Sequence, residues 1–177
     1  MATETPTEEM TPAPSATDTE TPGTESSPTA TATATETETP KPVPTTTPFA
    51  LAATLTGAQE TADVMTDAGG SATISVSDHD VTITVTTSNL TNVLLAHIHA
   101  GPAGTDGPVI FPLFDASTDP AFTSPFTRVL TAADFQPAPE KGISTFADAL
   151  AVIASGNTYV NIHTQAHPGG EIRGQIS

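Results

Sequence analysis

From Phe49 onward, apolar and polar residues alternate in short runs broken by Gly, Pro, Asn and Asp, as half-buried strands do. Phe49–Leu55 reads as a first strand ending at Gly57, and Asp67-Ala68-Gly69-Gly70 is a turn signal. In Ser71–Val76, Ala72, Ile74 and Val76 share one face, and Ser71, Thr73 and Ser75 the other. Val81, Ile83 and Val85 repeat the pattern after the turn Ser77-Asp78-His79-Asp80, so the two runs predict a hairpin with one buried face. Leu94–His99 places Leu94, Ala96 and Ile98 on one face and Leu95, His97 and His99 on the other. After the loop Gly101–Pro108, Val109–Phe114 is extended again, and 115–142 reads as irregular with one helical turn at Thr131–Phe135. Phe146, Leu150 and Ile153 predict a helix over Ser144–Ala154, capped by Ser144 or Thr145 and ended by Gly156. Tyr159–His163 is a strand with Tyr159, Asn161 and His163 on one face. Pro168-Gly169-Gly170 then turns the chain into a closing strand in which Ile172, Gly174 and Ile176 alternate with Arg173 and Gln175. The expected fold is all-β: an antiparallel, Greek-key-like sandwich or barrel of about seven or eight strands with one short helix.

The first 48 residues follow no such pattern. They contain 17 Thr and 9 Pro, a single Val, Val43, and no Leu, Ile, Phe, Tyr or Trp. Such a segment cannot bury enough apolar surface to offset the entropy of ordering it. The expected organisation is therefore a disordered acidic Thr/Pro tail or stalk over 1–48 and one β domain over 49–177. The net charge of −16 divides into −7 on the tail and −9 on the domain. With four Lys and Arg in all, the chain lacks the basic surface that nucleic acid or anionic lipid requires. It has no Cys, so disulfides, thiolate metal sites and Cys nucleophiles are excluded, and no apolar run long enough for a membrane helix. The tail composition reads as an exported, O-glycosylated stalk. The expected location is secreted or anchored at the cell surface, with a signal or lipoprotein leader lost ahead of Met1. Asn89-Leu90-Thr91 fits the N-glycosylation pattern.

Four of the five histidines fall in two clusters, His97-Ile98-His99 and His163-Thr164-Gln165-Ala166-His167. Residues i and i+2 of a strand point the same way, about 6–7 Å apart, which suits two ligands of one ion. These rings lie opposite the apolar face, so they are metal ligands or surface residues rather than core. If the strands are neighbours, His97, His99 and His163 converge; three imidazoles without a thiolate suit copper or zinc. His167, beyond the strand, is either a fourth ligand or a solvated loop residue, and His79 is a surface residue. Glu171 and Arg173 share a face. They form either a rim salt bridge or a pair that serves the metal, Arg173 as an anion guide and Glu171 as acceptor for a ligand imidazole N–H. No serine elbow, phosphate loop or EF-hand pattern occurs.

At four places the chain resembles the CHRD family, the domain found in chordin and in microbial exported proteins. They are Leu55–Glu60 (LTGAQE), Ala96–Ala103 (AHIHAGPA), Gly156–Thr164 (GNTYVNIHT) and Pro168–Ile176 (PGGEIRGQI), covering roughly 51–177. His167 falls where that family is expected to vary. A fainter likeness is to copper/zinc superoxide dismutase, in which a His-x-His strand, a later strand His and a near-terminal Arg occur in this order. The matching residues are His97 and His99, His163, and Arg173. No His lies between 99 and 163, so a bridging imidazole and the zinc ligands are missing; the likeness implies a single copper on a related β-sandwich. The expected function is an exported metal-binding protein holding a copper-type ion, with zinc as the alternative. The competing readings are a copper-dependent redox enzyme and a metal-free structural or adhesion module.

Overall fold

A computed structural model of the chain describes residues 48–177; the tail expected over 1–48 lies almost entirely outside the described residues. Eight strands are present: β1 (Phe49–Thr56), β2 (Gly69–Val76), β3 (Val81–Ser88), β4 (Val93–Ala100), β5 (Val109–Asp115), β6 (Phe126–Leu130), β7 (Thr158–Thr164) and β8 (Ile172–Gln175). They form one antiparallel sheet in the order β5-β4-β7-β8-β1-β2-β3-β6, curled into a nearly closed barrel. The expected all-β Greek-key-like architecture is what forms.

The alternation seen in the sequence explains the interior. Ala72, Ile74 and Val76 of β2, Val81, Ile83 and Val85 of β3, Ala96 and Ile98 of β4, and Val160 and Ile162 of β7 all point inward and are buried. The open seam lies between β5 and β6. A chain of rings, Phe114–Phe122–Phe126, crosses it, edge-to-face at the first contact and tilted at the second, with centroids 5.2 and 5.4 Å apart. Pro112 in β5 is tolerated because an edge strand leaves one row of N–H groups unpaired in any case.

One helix, α1 (Phe146–Ala154), lies in the long connection from β6 to β7. Thr145 caps it in a reciprocal box with Asp148, and Gly156 after it adopts a φ of 73°. Phe146 of α1 and Phe135 ahead of it both pack on Phe111 of β5.

Three local expectations need correction. Residues 115–142 are not all irregular, because β6 pairs with β3 through Val81↔Leu130 to Val85↔Phe126. As an edge strand it buries only Leu130 fully, so it carries no alternation to read. Thr131–Phe135 makes a single turn closed by Asp134 N donating to Thr131 O at 3.0 Å, not a helical segment. Leu94 is 37% exposed rather than inward, because a register shift between Val93 and Leu95 gives the inward place to Val93.

Candidate metal centre

β4 and β7 are neighbours, so the two histidine clusters meet. The register pairs Leu95 with His163, His97 with Asn161 and His99 with Tyr159, and all six point away from the barrel interior. His163 therefore sits diagonally across from His97. The three rings have centroid separations of 5.5 Å (97–99), 5.4 Å (97–163) and 6.4 Å (99–163). One nitrogen from each lies within 4.8 Å of the others.

Loops fix the orientation of two rings. His99 Nδ1 lies 2.9 Å from Gly107 O and His163 Nδ1 lies 3.0 Å from Pro168 O. A carbonyl only accepts, so each Nδ1 carries the hydrogen and each Nε2 keeps a free lone pair. The buried ring nitrogens left without a partner are those two Nε2 atoms and His97 Nδ1. Burial, followed by the neighbouring His99 and His163, pushes His97 down to about 4. Burial also lowers His99 and His163 below the ordinary imidazole value. All three are neutral at pH 7, the form in which imidazole binds a metal.

Behind His99 stands a stack that the sequence did not disclose. The ring of Tyr159 lies on that of His99, with centroids 4.9 Å apart and planes 6° from parallel. The guanidinium carbon of Arg173 sits 3.5 Å from the centre of the Tyr159 ring. Arg173 is 1% exposed and donates to Thr105 O at 2.8 Å, Pro102 O at 3.2 Å and Asp106 Oδ1 at 3.2 Å. Gly107 N donates to the Tyr159 hydroxyl at 3.0 Å. Arg173 thus clamps the β4–β5 loop, whose Gly107 carbonyl orients His99. A side chain at 107 has no room, since its Cβ would come within 1.7 Å of Ala100 O.

The expected roles divide accordingly. His97, His99 and His163 come together. His167 stays out of the group; its backbone closes the turn through Thr164 N and Gly170 N, both donating to His167 O. Arg173 is covered by Tyr159 and turned onto the β4–β5 loop, where it pairs with the exposed Asp106 carboxylate rather than with Glu171, so it is not an open anion guide. Glu171 accepts from Thr66 Oγ1 at 2.6 Å and from Thr164 Oγ1, tying two loops together, and backbone carbonyls orient the imidazoles in its place. His79 is exposed in the β2–β3 turn.

The donor set fits a single ion: three neutral imidazoles, each with a buried, unpartnered nitrogen, close enough to share it. No other cluster of three His, Asp or Glu side chains meets this spacing among the described residues.

The model of the CHRD domain matches residues 51–176, which takes in all of the barrel but the first two residues of β1, and all three histidines. The chain belongs to the CHRD domain family. Neither the curated proteins nor the solved structures compared with it include a match. In this CHRD domain, Ala96–Ala103 supplies two histidines and the start of the clamped loop. Gly156–Thr164 supplies the third histidine and Tyr159, and Pro168–Ile176 supplies the Pro168 carbonyl and Arg173.

Proposed function

We propose that this CHRD domain is a metal-binding module that holds one copper-type ion through His97 Nδ1, His99 Nε2 and His163 Nε2, as an exported or surface-held protein. The observation that carries the reading is that each ring brings a nitrogen within 4.8 Å of the other two, and that each ring has a buried nitrogen without a hydrogen-bond partner. A buried polar atom left unpaired costs about 1–3 kcal/mol, so a metal-free structural module would carry three such costs with nothing in return. Copper is preferred over zinc on donor grounds, since N-donor sites bind Cu(II) most tightly among the first-row divalent ions.

Calorimetry of Cu(II) binding to the full chain tests this. The expected result is one tight site, abolished by His97→Ala with His99→Ala and unaffected by His167→Ala. The chain has one Tyr and no Trp, so its intrinsic emission reports on Tyr159 alone. Copper at the triad, next to the ring stacked on His99, is expected to quench that emission stoichiometrically. Unchanged affinity in the double variant sinks the proposal.

A further inference from the structure

Beside the imidazoles lies a second pair of polar side chains whose hydrogen bonding is incomplete. Asn161 is 5% exposed and points outward from β7 between Tyr159 and His163, with His97 opposite it on β4 and Arg173 opposite it on β8. Its Nδ2 donates to Glu60 Oε2 at 3.3 Å; Glu60 follows the 3-10 turn after β1. The remaining oxygens, Glu60 Oε1 and Asn161 Oδ1, are both buried and neither receives a donor. Gly170 adjoins the pair: a Cβ there would lie 2.8 Å from Glu60 Oε2, 2.8 Å from Asn161 Oδ1 and 2.9 Å from Asn161 Nδ2.

Two acceptors without a donor are satisfied together by one proton. A carboxylic acid and a primary amide bond reciprocally, O–H to the amide oxygen and amide N–H to the acid oxygen. We propose that Glu60 and Asn161 form such an acid–amide pair, with a proton carried on Glu60 Oε1 and shared with Asn161 Oδ1. A cation is the rival way to satisfy two oxygens. Hard cations take six or more oxygen ligands, far more than this pair offers, and the Arg173 guanidinium already acts on Glu60.

The surrounding charges are mixed. Arg173 from β8 and the Asn161 amide from β7 favour the carboxylate, whereas Asp106 from the β4–β5 loop opposes it. Asp63 shares the surface groove that Glu60 lines, the charge of Glu60 also acts on the Tyr159 phenol, and Glu171 is turned onto Thr66 and Thr164. Burial outweighs Arg173 and raises the Glu60 carboxyl to about 7.

Were an ion held by His97, His99 and His163, the protonated Glu60 would be a proton source next to Asn161 on the outward face of β7; that use rests on the metal-site reading, whereas the acid–amide pair itself does not.

Carboxyl carbon-13 NMR of the metal-free full chain, with glutamate labelled and Glu60 assigned by Glu60→Gln, tests the pair. The expected result is a Glu60 midpoint near 7, with an infrared C=O band of a protonated carboxyl below that pH that Glu60→Gln removes. A midpoint in the ordinary glutamate range overturns the proposal. If Glu60→Gln does not fold, the wild-type spectra decide, and no glutamate midpoint above about 6 overturns it equally. Displacement of the Glu60 signal by calcium or zinc in the chain lacking His97 and His99 overturns it in favour of a cation. Failure of copper to bind at the triad leaves the Glu60 titration as it is, so the two readings fail separately.

Discussion

At the scale of single residues, the site depends on which ring nitrogens are tied and which are free. Two backbone carbonyls take the Nδ1 hydrogens of His99 and His163, and the lone pairs left over converge with that of His97. With ordinary imidazole values, metal affinity would fall below about pH 6. Burial moves that window down, because His97 resists protonation to about 4 and the other two titrate below their usual value. A group whose folded pKa is depressed contributes stability above its unfolded pKa, and that contribution is lost as pH falls through the folded value. The metal-free protein is therefore expected to lose melting temperature as pH falls from about 6.5 towards 4, and His97→Asn to flatten part of that slope. Thermal melts followed by circular dichroism across this range check it, and identical slopes in the two proteins would contradict it.

At the scale of elements, the alternation within each strand was legible, but the loop that completes the site was not. The outward places of Tyr159, Asn161 and His163 followed from period two alone. The sandwich of His99, Tyr159 and Arg173 depends on the Gly101–Pro108 loop folding back over β7 and β8, which no spacing within the loop announces. The nearest signal was a lone arginine alternating with apolar residues in the last strand, and it admitted a rim ion pair equally well. Gly107 is the weakest point of this assembly, because Ala100 O occupies the place of any side chain. Gly107→Ala is expected to cost about 3 kcal/mol through displaced backbone. It should also weaken copper binding roughly 10-fold by releasing the carbonyl that orients His99. Denaturant unfolding and copper titration of this variant measure the two effects; full stability with full affinity would show that the loop is not what orients the ring.

At the scale of the whole molecule, charge and burial bear on catalysis. Three protein ligands are the number that catalytic metal sites use, so a copper-dependent redox activity merits a direct test. The domain carries −9, which disfavours fast capture of an anion such as superoxide. Arg173, the residue expected to offset this, is 1% exposed beneath Tyr159 and bonded to the β4–β5 loop. The copper-loaded protein is accordingly expected to bind the ion with little or no dismutase turnover. Stopped-flow decay of superoxide decides it: a rate near the diffusion limit, lost on His163→Ala, would make this an enzyme.

The sequence by itself determined seven of the eight strands and most of their inward faces, the helix and its cap, the start of the first strand at Phe49, and the outward histidines. All of these are local consequences of periodicity and turn chemistry, repeated within a few residues. Only the tertiary structure decided which strands are neighbours, and therefore that His163 meets His97 and His99 while His167, four residues on, turns away. It alone showed that Arg173 is a buried clamp, that backbone carbonyls rather than Glu171 orient the imidazoles, and that Glu60 meets Asn161 across 101 positions of chain. Such contacts are set by strand order and loop closure, which join residues far apart in sequence and leave no period to be read.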